Sequence, residues 1–233
     1  VFDNPDGVDL RAGLITPEGS GPFPGMVVVH GGGWTEGDMY HKIGFCRHFA
    51  ERGVTTMCTS YRLAPDTIYP EQEQDVTNAV KYLRGHADDY NVDPYCIGIV
   101  GASAGGHLAG LTAYAYDQEW MDRECTLCDS EDGSTRFLVS YYGVLALDKD
   151  PFIRAASFVQ LGPDFQEIAP IASPINYVDE KGIHIWFTIC DEPACRASLL
   201  LFSEAREKLE AVKTLCISKA QNTIEISLQN GPL

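Results

Sequence analysis

Apolar residues along the chain gather into short continuous runs rather than strictly alternating ones. Gly25–His30 (GMVVVH), Val54–Ser60 (VTTMCTS), Cys96–Gly101 (CIGIVG), Phe137–Tyr142 (FLVSYY), Ile183–Cys190 (IHIWFTIC) and Thr223–Leu228 (TIEISL) are such runs. Continuous runs of this length predict strands covered on both faces, and Leu10–Thr16 predicts an edge strand. Between them, helical patterns fall at Met39–Arg52, Glu71–His86, Ala104–Tyr116 and Ala194–Lys213. Strand and helix alternate from end to end, with no internal repeat, low-complexity tract or linker. That order predicts an α/β fold, a mostly parallel central sheet with helices on both faces, as a single domain over residues 1–233. Asp117–Arg136 reads as a long polar loop. Residues 148–176 read as an irregular, Pro-bearing insertion, expected to cap a pocket and to bear on substrate range.

Composition narrows the classes of partner. The 233 residues are 45% apolar and 21% charged, enough for a sizeable core. Lys plus Arg number 17 and Asp plus Glu 33, a formal net charge of −16, and the basic residues are scattered. A nucleic-acid or anionic-membrane partner is therefore disfavoured, and carboxylate-rich substrates would be repelled. No run of about 18 apolar residues exists, so no transmembrane segment is expected. Val1-Phe2-Asp3-Asn4-Pro5 has no initiator Met, basic n-region or apolar h-region, which leaves a signal peptide either absent or missing from this sequence. Location and oligomeric state are accordingly open. Of eight Cys, Cys58, Cys96 and Cys190 lie in apolar runs and are expected as buried reduced thiols. Cys125-Thr-Leu-Cys128 is the one close pair. A zinc site would want a second Cys/His pair at comparable spacing, so a loop disulfide is expected there and no metal.

Two glycine-rich loops carry the candidate chemistry. Gly101-Ala102-Ser103-Ala104-Gly105 follows a predicted strand and opens a predicted helix, the context that a nucleophile elbow requires. Ser103 is the candidate nucleophile: small neighbours allow a sharp turn, and the helix N-terminus favours a developing negative charge. A closely packed or phosphate-binding turn is the alternative. His30-Gly31-Gly32-Gly33-Trp34 follows an earlier strand and reads as a loop of backbone donors, since glycines let main-chain N–H groups approach a substrate oxygen. Together with the Ala104 N–H it would complete an oxyanion hole.

In these blocks the chain resembles the α/β-hydrolases of the hormone-sensitive-lipase-like esterase group, close to the acetyl-esterase and feruloyl-esterase-like (BD-FAE-like) carboxylesterases. The matching blocks are His30–Trp34 with Gly37-Asp38, Tyr61-Arg-Leu-Ala-Pro65, Tyr69-Pro70 leading to Asp75, and Gly101-Ala-Ser-Ala-Gly-Gly-His-Leu-Ala109. The resemblance runs from about residue 10 to residue 115. It implies an α/β-hydrolase fold and a Ser-His-Asp hydrolase of short acyl esters, with no metal or organic cofactor. Ser103 would be the nucleophile, and Gly31, Gly32 or Gly33 with Ala104 the oxyanion donors. Tyr61–Pro65 and Asp75 would be structural. Trp34, Tyr61 and Tyr141 are candidates for lining a substrate pocket, with core packing as the alternative.

The triad acid is expected after a late strand, where Asp191 follows Ile185–Cys190 and Pro193 leads into the next helix. Glu192 is the neighbouring alternative, and either could instead cap that helix. The base is the difficulty. Chain order in this fold is Ser, acid, His, yet all six His (30, 41, 48, 86, 107, 184) precede Asp191. His107 and His184 read as structural, and His30 as a hydrogen-bonding buttress of the glycine loop. Two explanations stand: a fragment truncated at both ends with the His beyond Leu233, or a natural chain without the base. The function expected is therefore hydrolysis of a small-molecule ester, against an arylformamidase-like amide hydrolase or a degenerate hydrolase-fold binding protein.

Overall fold

The computed structural model describes residues 1–149 and 157–178, and the backbone of two further strands at 184–188 and 214–217. Six of the predicted runs become strands β1 (Ala12–Ile15), β2 (Phe23–Val29), β3 (Thr55–Thr59), β4 (Val92–Ala102), β5 (Phe137–Tyr141) and β6 (His184–Thr188), and a strand outside the predicted runs, β7 (Thr214–Ile217), follows them. They form one sheet in the order β1-β3-β2-β4-β5-β6-β7. Every neighbouring pair is parallel except β1 with β3, so β1 is the antiparallel edge strand. The strands are apolar on both faces because both are covered. Val27 and Val29 of β2 face one cluster, with helices α2 (Glu71–Gly85) and α3 (Ala104–Ala115), while Met26 and Val28 face another, with α1 (Ile43–Ala50). This is the expected α/β architecture.

The structure departs from the sequence reading in several places. The predicted first helix starts as a 3-10 turn, Met39–Lys42, before α1. Asp38 caps that turn, accepting from Tyr40 N at 2.8 Å while its own N–H donates to the His41 ring at 3.1 Å. The last described strand is β7, at Thr214–Ile217, beside β6. The predicted helix Ala194–Lys213 and strand Thr223–Leu228 lie outside the described residues, as does Cys190.

Cys58 is corrected: it is not a free thiol but is joined to Cys46 in a disulfide tying α1 to β3. Its partner lies twelve residues away on an element that meets β3 only after folding, so spacing alone carried no signal. Cys125 and Cys128 form the expected loop disulfide, and Cys96 is free but only half-buried.

Helix α2 buries polar side chains as well as apolar ones: Asp75 and Asn78 are fully buried. The side that carries them is covered by the N-terminal segment and the loop after α3, and it is satisfied there by charge. Asp75 accepts from Arg62 N, Nε and Nη2 at 3.0, 2.9 and 2.9 Å, and from Arg123 Nη2 at 2.9 Å. Asp3 accepts from Arg123 Nη2 at 2.7 Å and Asn78 Nδ2 at 3.0 Å. The Tyr61–Pro65 block and Asp75 thus meet in one buried network.

The described part of the insertion, residues 157–178, contains helical residues 157–161, helix α4 (Phe165–Ile171) and a 3-10 turn at Pro174–Tyr177. It packs on α2 and α3. Gln160 Nε2 donates to Glu73 Oε1 at 2.7 Å, and Tyr69 N donates to the Gln160 carbonyl at 2.9 Å. Burial raises the Glu73 carboxyl to about 8, so this anchor is mostly uncharged at pH 7.

Candidate functional site

Ser103 stands between the last residue of β4 and the first of α3, at φ 53° and ψ −121°. A non-glycine residue in that region costs about 1–3 kcal/mol and persists only where its surroundings fix it. Here the Ser103 N–H donates to the Tyr141 carbonyl at 2.9 Å, and its own carbonyl accepts from His107 N at 3.1 Å. The glycines of the motif serve close approach. A Cβ on Gly101 would strike the Gly105 carbonyl, and one on Gly105 would lie 2.6 Å from the Val29 carbonyl and closer still to that of His30. A Cβ on Gly106 would lie 2.7 Å from Gly143 Cα. Helix α3 therefore sits directly on the ends of β2 and β5, with its N-terminus and Ser103 at the sheet's C-terminal edge.

The glycine loop leaves β2 at the same edge. A Cβ built on Gly31 would lie 2.7 Å from the Ala102 carbonyl and 3.3 Å from Ser103 Cβ, so the loop backbone runs against the serine. Gly32 and Gly33 take φ of 129° and 55°, and the Gly32 carbonyl accepts from Thr35 N and Glu36 N at 3.0 and 3.1 Å. Among the described residues no acceptor takes the N–H of Gly31, Gly32 or Gly33. The Ala104 N–H, first of α3, likewise has no intrahelical partner. Open backbone donors thus lie on the loop that passes Ser103 at Gly31 and at the head of the helix that follows it, an arrangement suited to an oxyanion.

His30 braces this loop. Its Nδ1–H donates to the Gly31 carbonyl at 2.7 Å, its ring stacks on Tyr61 with centroids 4.3 Å apart, and Tyr61 Oη donates to the His30 carbonyl at 3.2 Å. The ring is 1% exposed, and burial lowers its pKa, so it is a neutral buttress. Trp34 sits in the core, the packing alternative given for it. It is 4% exposed within the main core, and its indole N–H donates to His107 Nδ1 at 3.2 Å. Its φ of 63° is unusual for so bulky a residue. Hydrogen bonds to its carbonyl from Ala64 N at 2.9 Å and Gln72 Nε2 at 3.1 Å hold it there. Tyr61 is also core. Tyr141 does border a cavity of about 120 Å³, with Lys42, Phe45, Val100, Ala102 and Tyr142.

His107 is fully buried one turn into α3, and both ring nitrogens are committed. Nδ1 accepts from Trp34, which makes Nε2 the protonated nitrogen, and Nε2–H donates to the Ala172 carbonyl at 2.7 Å. Burial lowers its pKa to about 4. It has no lone pair to offer Ser103. The other described histidines are engaged away from the serine: His41 at the Asp38 cap, His48 with Arg52, His86 with Asp89 and the Leu127 carbonyl. His184 pairs in register with Phe137 at the start of β6, the end of the sheet away from Ser103. Thr188 ends β6 opposite Tyr141, at the serine's edge. Asp191 and Glu192 follow three and four residues later and lie outside the described residues. No group of three or more His, Cys, Asp or Glu that could hold a metal occurs among the described residues. No helix of the described residues is long and apolar enough to cross a membrane.

Comparison with known proteins agrees with this geometry. The chain is 43% identical to the arylacetamide deacetylase of Bos taurus over 94 residues, covering 38% of this chain and 24% of that protein. It is 34% identical to neutral cholesterol ester hydrolase 1 of Bos taurus over 120 residues, 49% of this chain and 29% of that one. Against the probable carboxylic ester hydrolase LipM of Mycobacterium tuberculosis (strain ATCC 25618 / H37Rv), it is 35% identical over 95 residues, 40% of this chain and 22% of the relative. The matched stretches thus span less than a third of these relatives' own lengths. Among solved structures, the propionate-bound thermophilic esterase Est2 of Thermogutta terrifontis superposes with a TM-score of 0.77 over 94% of this chain and 82% of that one, at 24% identity. The BD-FAE family matches residues 14–188, which take in the glycine loop, the Ser103 elbow and the strands that carry them. The chain belongs to the BD-FAE family, on an α/β-hydrolase fold.

Proposed function

We propose that the chain is a serine carboxylester hydrolase acting on short-chain acyl esters of small uncharged molecules. The observation that carries the reading is the open N–H donors of the Gly31–Gly33 loop, which runs against Ser103 at Gly31, together with the Ala104 N–H that heads α3 directly after the serine. In this reading the Ser103 hydroxyl attacks the ester carbonyl and those amides hold the oxyanion. The tetrahedral intermediate collapses by breaking the ester C–O bond, the alcohol leaves with the serine proton, and water then frees the acyl group as the acid and restores the Ser103 hydroxyl; Asp191 is proposed as the triad acid that would orient a base not contained in residues 1–233. The relatives named as ester hydrolases support the bond class. The cavity of about 120 Å³ bordered by Ala102, next to the nucleophile, supports a small acyl group. Segment 157–178, packed on α2 and α3, is proposed as part of a cap.

Both ring nitrogens of His107 are committed, His30 Nδ1 is held by the Gly31 carbonyl, and the sequence holds no His beyond Asp191. The chain as it stands is therefore expected to accelerate ester hydrolysis by binding and the oxyanion hole alone, on the order of 10³–10⁴ over water. A second reading, an amide hydrolase, is favoured by the relative named arylacetamide deacetylase. Incubation with p-nitrophenyl acetate, p-nitrophenyl decanoate and p-nitroacetanilide, with the acylated residue located by mass spectrometry, separates the two. The ester reading predicts slow acetylation at Ser103, at least about tenfold slower with the decanoyl ester and undetectable from the anilide. Acylation elsewhere, or faster transfer from the anilide, would contradict it.

A further inference from the structure

Trp34 closes the loop after β2 and His107 lies one turn into the helix after β4, and they meet edge to face, with ring centroids 5.4 Å apart and planes at 84°. The Ala172 carbonyl that receives the His107 Nε2–H belongs to the C-cap of α4, one of the acceptors that a helix leaves unpaired at its end. One imidazole thus joins three parts of the molecule: the helix headed by Ser103, the residue that closes the glycine loop, and segment 157–178. We propose that His107 is a positioning residue for the oxyanion loop, clamping Trp34 so that the amides of Gly31–Gly33 stay against Ser103 and tying that clamp to the 157–178 segment. The proposal rests on the hydrolase reading given above and adds to it a residue that touches no substrate.

The argument is one of lever and strain. Trp34 follows Gly33 directly, so any rotation of its backbone moves the donors. Its left-handed φ would relax toward ordinary values unless both its carbonyl and its indole were held. The carbonyl is held by Ala64 N and Gln72 Nε2, which fixes the height of the loop. The indole is held at one polar point, His107 Nδ1. An imidazole suits the place because one nitrogen accepts while the other donates, which only the neutral ring does. Burial keeps it neutral, with a pKa of about 4 against the ordinary 6.5. An apolar residue would fill the space and leave the indole N–H and the Ala172 carbonyl buried without partners.

The two arms are separable by substitution. His107→Asn places an amide oxygen near the position of Nδ1 and keeps the acceptor for Trp34; His107→Gln reaches the position of Nε2 and keeps the donor for Ala172. Trp34→Phe keeps an aromatic ring and removes the N–H together with the volume of the second ring, a packing loss that the thermal stability measurement registers separately. The readout is the rate at which a fluorophosphonate labels Ser103, measured beside thermal stability. The expected result is that His107→Gln and Trp34→Phe each slow labelling by about tenfold, since a small displacement of a positioned donor costs that much or more. Their double variant should be no slower than either single one, because both break the same contact. His107→Asn should stay within about threefold of the unaltered chain while losing as much thermal stability as His107→Gln. Labelling that falls in step with stability in the Asn and Gln variants alike, or effects that multiply in the double variant, would overturn the proposal. If the unaltered chain is not labelled at Ser103, the hydrolase reading fails first. The clamp is then judged by NMR: His107→Gln should shift the Trp34 indole N–H and the Gly31–Gly33 amide signals and His107→Asn should not, and unmoved glycine signals in the Gln variant would overturn it.

Discussion

Gly31→Ala is expected to slow acylation of Ser103 by roughly 10²–10³-fold, the usual cost of losing an oxyanion donor. Gly31 has no positive φ, so its backbone would accept alanine; the obstacle is space. The added methyl would stand 2.7 Å from the Ala102 carbonyl and 3.3 Å from Ser103 Cβ, and the first of those atoms is backbone that cannot swing aside. The loop must then lift from the serine and carry its open N–H groups out of hydrogen-bond range. Gly33→Ala is the control for crowding, because there the nearest atom to a new methyl is Thr35 Oγ1 at 3.9 Å, although its φ of 55° adds backbone strain. Pre-steady-state release of p-nitrophenol from an acetyl ester measures both. Equal, small effects at the two positions would mean that the Gly31 amide is not a donor.

Arg62→Ala is expected to cost about 3–5 kcal/mol of folding stability, the range for breaking one side of a buried ion pair. That is a hundredfold or more in the folded-to-unfolded ratio. Asp75 is fully buried and takes three of its hydrogen bonds from Arg62, whose side chain is itself 6% exposed. The same guanidinium also reaches Asp6 at 2.9 Å and Glu71 at 3.2 Å, but both are exposed and add little. Removing Arg62 leaves the Asp75 carboxylate with Arg123 and its own buried helix face. Replacing both partners, Arg62→Met with Asp75→Leu, is expected to cost clearly less than Arg62→Ala alone, because no uncompensated charge remains. Urea titrations of the three chains test the order. A double variant weaker than Arg62→Ala would show that the pair stabilises by direct attraction rather than by mutual compensation.

The parts of the molecule legible in its sequence are those where one local pattern has one physical meaning. GMVVVH and CIGIV can hardly be anything but strands buried on both faces, and they are β2 and the second half of β4. Gly101–Gly105 between strand and helix predicts a sharp turn, and Ser103 sits in one. Relations across the chain were not legible. Nothing around Cys46 marks Cys58 as its partner, since only the docking of α1 on β3 brings them together. The helical pattern at Glu71–His86 does not show that Asp75 is buried, because its partners Arg62 and Arg123 arrive from loops 13 residues before it and 48 after it. Trp34 reads either as a pocket aromatic or as core, and its sequence neighbours do not decide between them. Its true environment is set by His107, 73 positions away. His107 could be read as structural from its place on the serine's helix, but the tautomer that makes it a clamp needed both of its partners.

The central claim is that Ser103, the glycine-loop amides and the Ala104 amide form one acyl-transfer site. The most direct test is a crystal structure of the chain after reaction with a fluorophosphonate. The account predicts phosphorus bonded to Ser103 Oγ, with the phosphoryl oxygen about 2.7–3.1 Å from the Ala104 nitrogen and from at least one nitrogen of Gly31–Gly33. An adduct on another residue, or a phosphoryl oxygen turned to solvent with those amides empty, would contradict it.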